Sequence, residues 1–135
     1  MGDLEMITFY KIFFILFTSL LFSGCIMRGG HQPFVKMYNN HLGKKNLFDK
    51  YKFESYGQII GGFRKSGYGL THITKDKNGN LIYHWDHWEV LPNYNDKKAV
   101  GKCKVYEIVD PKTKIVKAWG FEPDSNPLSC QVWGG

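Results

Sequence analysis

The sequence predicts an α+β fold: two short N-terminal helices packed on an antiparallel sheet of about four strands, with one disulfide. Three observations predict it. Apolar residues recur at spacing four early in the chain, strand-like alternation flanks two turn signatures later on, and three cysteines leave an even pair once one is assigned to the leader. At 135 residues there is room for one domain, which excludes an enzyme with separate cofactor and substrate halves. Apolar residues make up 43% of the chain, charged residues 22% and aromatics 16%, enough to build a core and too apolar for a disordered chain.

The chain divides into a leader over 1–24, a tether over 25–32 and a single small domain over 33–135. The apolar run Ile12 to Phe22 is 11 residues long, against about 20 for a helix that spans a bilayer, so it is a signal-peptide core rather than a permanent span. Lys11 precedes it, and Ser23 and Gly24 follow. Asp3 and Glu5 are foreign to a positively charged start, and initiation at Met6 would remove both. Phe22-Ser23-Gly24-Cys25 resembles the lipobox of bacterial lipoproteins, with Phe22 where the family usually carries Leu. The resemblance implies cleavage after Gly24 and acylation of Cys25, and its acyl chains, palmitate among them, would hold the protein in a bilayer. Ile26 stands where an Asp would favour inner-membrane retention, so the implied address is the outer membrane, facing the periplasm or the cell surface. Loss of Lys11, Asp3 and Glu5 raises the net charge from +6 to +7.

The tether carries Gly29-Gly30 and little periodicity. A first helix is expected over Pro33 to Leu42, with Phe34, Tyr38 and Leu42 on one face, Pro33 at its first position and Gly43 as its left-handed stop. Asn46 is expected to cap a second helix of about two turns, with Asp49 near its positive end and Leu47 and Tyr51 on one face. The five glycines between Gly57 and Gly69 suit a loop or an irregular strand. Beyond them, Leu70 to Lys75 and Asn80 to Leu91 form the arms of a hairpin about Asp76-Lys77-Asn78-Gly79, expected as a type I′ turn. Lys102 to Val109 and Ile115 to Glu122 form a second hairpin about Asp110-Pro111-Lys112-Thr113. Alternation puts Cys103, Val105, Glu107 and Val109 on one face. With Cys25 given to lipid, Cys103 and Cys130 are expected to bond in an oxidising compartment, closing a 28-residue loop worth about 3.5 kcal/mol.

Candidate chemistry is sparse. In His84-Trp85-Asp86-His87-Trp88 the two histidines fall on opposite strand faces, leaving His84 and Asp86 as two ligands, with His72 across the hairpin as a third. No metal site is assigned. The thiols are committed elsewhere, Ser55 and Ser66 lie in no nucleophile elbow, and the Gly57 to Gly69 stretch lacks phosphate-loop spacing. No catalytic residue, enzyme activity, cofactor or small-molecule substrate is therefore expected. Lys44, Lys45, Lys50, Lys52, Arg64, Lys65, Lys97, Lys98, Lys102 and Lys104 are dispersed, which suits anionic lipid, acidic polysaccharide or an acidic protein surface rather than nucleic acid.

Two helices ahead of an antiparallel sheet, behind a lipobox, resemble the BamE-like (SmpA/OmlA) outer-membrane lipoproteins over about Leu42 to Glu122. Gly43-Lys44-Lys45-Asn46-Leu47-Phe48 stands at the family's first helix and Trp119 in its closing strand, whereas the extra hairpin and the Cys103/Cys130 pair depart from it. The resemblance implies a non-enzymatic accessory of an outer-membrane or periplasmic assembly, with an envelope protein as partner. The alternative is a small lipoprotein inhibitor of an envelope-attacking hydrolase, which the charge of +7 and the helical signal disfavour. A surface lipoprotein by which a phage or conjugative element excludes competitors is a further possibility that the sequence does not address.

Overall fold

The computed structural model describes residues 2–21 and 29–133. Helix α1 spans Gly2–Leu21 and α2 spans His31–Asn39; the strands are β1 (Ile59–Ile60), β2 (Arg64–Lys75), β3 (Leu81–Val90), β4 (Gly101–Val109) and β5 (Val116–Phe121). The sheet is antiparallel throughout, in the order β1-β2-β3-β4-β5. The fold is therefore α+β, with one strand more than the four expected. Among the described residues no helix is long and apolar enough to cross a membrane. Phe22, Ser23, Gly24 and Cys25 lie outside the described residues.

Helix α2 starts two residues before Pro33, taking His31 and Gln32 from the expected tether, and Pro33 still falls in the first turn where no N–H partner is required. Its buried stripe is Phe34 and Tyr38. Regular helix stops at Asn39, and Leu42 is consequently exposed. Gly43 takes the expected left-handed conformation at φ 76°, and its N–H bonds to the Val116 carbonyl at 2.9 Å.

The helix expected from Asn46 does not form. The Asn46 side chain does accept from Phe48 N–H at 3.1 Å, but neighbouring backbone groups are already engaged by the sheet. Val116 N–H donates to the Lys44 carbonyl and Asn46 N–H to the Lys114 carbonyl at one end. At the other, Leu70 N–H donates to the Tyr51 carbonyl and Phe53 N–H to the Tyr68 carbonyl. Residues 43–53 thus form a strap that runs from β5 across the inner sheet face to β2. Tertiary pairing outcompetes a short helix of marginal intrinsic stability. Gly69 permits the closest approach: at φ +77°, a Cβ there would come within 3.0 Å of the Lys52 Cα and the Tyr51 carbonyl oxygen.

The first hairpin turns differently from the type I′ expected. Only Gly79 has positive φ, while Asp76 Oδ1 accepts from the N–H groups of Asn78 and Asn80 at 2.9 Å each. This is a three-residue loop with glycine in the bulge position. In the second hairpin, Asp110 Oδ1 accepts from Lys112 and Thr113 N–H at 2.9 Å each, and these bonds hold its carboxyl below the ordinary aspartate range.

Inner-face residues Leu70, Tyr83, Trp85, Cys103, Val105, Val109 and Val116 build the core with Phe34 and Tyr38 of α2. Cys103 and Cys130 are bonded and fully buried. Around this link, Gly30 and Val132 exchange backbone hydrogen bonds of 2.7 and 2.9 Å, Trp88 Nε1 donates to the Ser129 carbonyl at 2.7 Å, and His31 Nδ1 lies 3.0 Å from the Cys130 carbonyl. The C-terminal tail thereby fixes the start of α2 on β4.

Replacing both Cys103 and Cys130 by Ala is expected to lower unfolding free energy by about 3 kcal/mol, measured by urea denaturation under non-reducing conditions. Phe34→Ala, at a site with no solvent exposure, should cost about 3–5 kcal/mol by the same assay.

Candidate functional site

Strict alternation along β3 from Trp85 would send Trp88 to the outer face. Instead the register breaks: Asp86 pairs with Lys104, and Trp88 with Cys103, leaving His87 as the extra residue of a bulge. His87 and Trp88 both turn inward beneath α2. The Phe34 ring meets His87 edge-on at 5.5 Å and Trp88 at 6.0 Å, and Val90 beyond them is buried.

The bulge creates a polar cluster inside an aromatic wall. The Tyr38 hydroxyl hydrogen-bonds His87 Nε2, and His41, just past α2, places Nδ1 3.0 Å from Oε1 of Glu107. An ionised carboxylate only accepts, so Nδ1 is the donor. Glu107 is buried on the inner face of β4, between Val105 and Val109. Burial, reinforced by the charge of His41, lowers the His87 pKa to about 4. Burial, and then the charge of Glu107, pushes the Tyr38 hydroxyl well above its ordinary value. Both are neutral at pH 7, and each is displaced away from the range in which a side chain exchanges protons efficiently.

A cavity of about 300 Å³ opens between α2 and the strap. Its aromatic lining is Tyr38, Phe48, Tyr51, Phe53 and Trp85, and its polar lining is His41, His87 and Glu107, with Met37 at the side. Trp85 Nε1 is buried and has no hydrogen-bond partner among the described residues. A second cavity of about 430 Å³, with Arg64 and Lys52 in its wall, shares Tyr51, Phe53 and His87 with the first, so the strap separates two openings that meet at His87. Arg64 stacks against Trp88 and Trp133, its guanidinium 5.8 and 4.9 Å from the ring centres.

The outer face gathers other expected residues. His72 and His84 pair across the hairpin with parallel rings 4.1 Å apart, and His84 also bonds Glu122. His84 and His87 do lie on opposite faces. Among the described residues no three His, Cys, Asp or Glu side chains converge as a metal-binding group. Of the residues singled out from sequence, the structure joins Cys103 to Cys130. Sequence reasoning missed the Tyr38, His41, His87 and Glu107 cluster. Its one visible trace was Glu107, a carboxylate at an inward position of an otherwise apolar strand face.

No protein-family model, curated protein or solved structure matches the chain.

A histidine whose pKa is lowered on folding supports stability above its unfolded value. Between about pH 6.5 and 4 the unfolded chain binds a proton that buried His87 refuses, so stability falls as pH falls through that window, by roughly 3 kcal/mol in total. Chemical denaturation at stepped pH should show this loss, and His87→Gln should flatten the slope relative to the wild type.

Proposed function

We propose that the chain is a lipid-anchored envelope protein that acts by binding rather than catalysis, as an accessory component of an outer-membrane or periplasmic assembly. The observation that carries the anchorage is the short apolar run ending in Phe22-Ser23-Gly24-Cys25, where acylation of Cys25 would attach the mature chain to a bilayer. The Cys103–Cys130 bond supports the exported setting, because such links persist in oxidising compartments. Two features support a binding role. His87 and Tyr38 are held neutral, with their pKa values displaced down and up respectively, and the cavity is largely aromatic with a few convergent polar groups. A partner protein has further surface available at the strap, where Leu47, Phe48 and Tyr51 are exposed among Lys44, Lys45, Lys50 and Lys52.

Cell fractionation tests the anchor: the wild type should sediment with membranes and Cys25→Ser should not release to lower mass on lipase treatment or retain acyl chains by intact-mass measurement. An unmodified Cys25 in the purified native protein would overturn the proposal. Affinity capture from detergent-solubilised envelope should recover a stable envelope complex. Recovery of a cell-wall hydrolase as the sole tight partner would replace the accessory role with the inhibitor role.

A further inference from the structure

We propose that the cavity between α2 and the strap is a binding site for a small substituted ammonium cation, a positively charged nitrogen carrying alkyl groups. The proposal deepens the binding role above by naming the ligand class of the same site. Charge decides the class. Glu107 is the acidic side chain in the lining, and Tyr38, Phe48, Tyr51, Phe53 and Trp85 surround the same space. Aromatic faces present negative quadrupole potential to a cation, and a carboxylate at the base supplies the counter-charge. The lining contains neither Lys nor Arg to compete for that carboxylate. His41 engages it through Oε1 alone, and a carboxylate has two oxygens with which to accept. With Tyr38 and His87 neutral, the cluster adds no other fixed charge beside Glu107 except what His41 carries.

The competing ligand classes fit less well. An anion entering this space would be repelled by Glu107. A neutral apolar molecule would strip water from a buried carboxylate and offer nothing polar to the oxygen that His41 does not engage, which is unfavourable. An alkylated ammonium meets both demands, because its apolar groups contact the rings while its charge faces Glu107. The size also fits: about 300 Å³ lies at the lower end of the ~300–1,000 Å³ range of small-molecule sites. Such a nitrogen could belong to a free amine or to the amine headgroup of a lipid.

The test is a tryptophan-fluorescence titration of the full-length lipidated protein in nonionic detergent, with Trp85 as the reporter in the cavity wall. Choline is the probe, its uncharged carbon isostere 3,3-dimethylbutan-1-ol is the control, and sodium chloride holds ionic strength constant. Saturable choline binding at least tenfold tighter than binding of the isostere is expected. Glu107→Gln, which keeps the shape and can still accept from His41, should weaken choline at least tenfold and leave the isostere unchanged. Tyr51→Leu, at a half-exposed rim position, should weaken choline several-fold with little change in thermal midpoint. Absence of saturable choline binding, equal affinity for the neutral isostere, or full choline affinity in Glu107→Gln would each overturn the proposal. Competition then separates the sources: displacement of choline by phosphatidylethanolamine vesicles and not by phosphatidylglycerol vesicles identifies a lipid headgroup, and displacement by free ethanolamine alone identifies a soluble amine. Failure here with Cys25 acylated would leave the anchorage intact, and an unmodified Cys25 would leave the cavity result standing.

Discussion

One extra residue in β3 organises the interior of this domain. The bulge between Asp86 and Trp88 turns two consecutive aromatic side chains to the same side, which a regular strand cannot do. Phe34 packs on both, and Tyr38 hydrogen-bonds the first of them. Helix α2 is only nine residues long and would be marginal alone, so its position depends on this receiving surface. The same irregularity puts a neutral imidazole where the two cavities meet.

The second constraint is the clamp at the C terminus. The Cys103–Cys130 link, the Gly30 and Val132 pairing and the Trp88 to Ser129 hydrogen bond converge on the residues that introduce α2. A tail with little regular structure thus becomes the fixed point for the N-terminal end of the folded domain. Arg64, lying against Trp88 and Trp133, extends that clamp to β2. Within this frame burial biases Tyr38 and His87 toward their uncharged forms.

Much of the architecture was legible because it rests on local chemistry. Asp110 and Gly79 mark their turns, alternation over Lys102 to Val109 gives the correct inner face, and cysteine parity gives the disulfide. Phe34 and Tyr38 at spacing four locate α2. The failures are equally specific. Asn46 offers a real capping interaction, yet the fate of the residues after it is set by β2 and β5, which lie far away in sequence. The Asp86 to Trp88 bulge has no local signature such as a glycine within it, so the alternation of the strand does not reveal that His87 and Trp88 share a face. The cavity cluster then escapes notice, since Tyr38, His41, His87 and Glu107 are distributed over 70 positions and meet only through that irregularity.

The margins of the sheet carry a separate consequence. On one side β1 contributes only Ile59–Ile60, and the left-handed Gly61 and Gly62 that follow turn the chain back into β2 at Arg64. On the other, Lys45 pairs with Ile115 at the entry to β5. Among the described residues, His72 to Lys75 of β2 pair with β3 alone and Ala118 to Phe121 of β5 with β4 alone, so each edge strand keeps one unpaired side there. At those two margins a further strand would meet backbone amides and carbonyls that no neighbouring strand among the described residues engages.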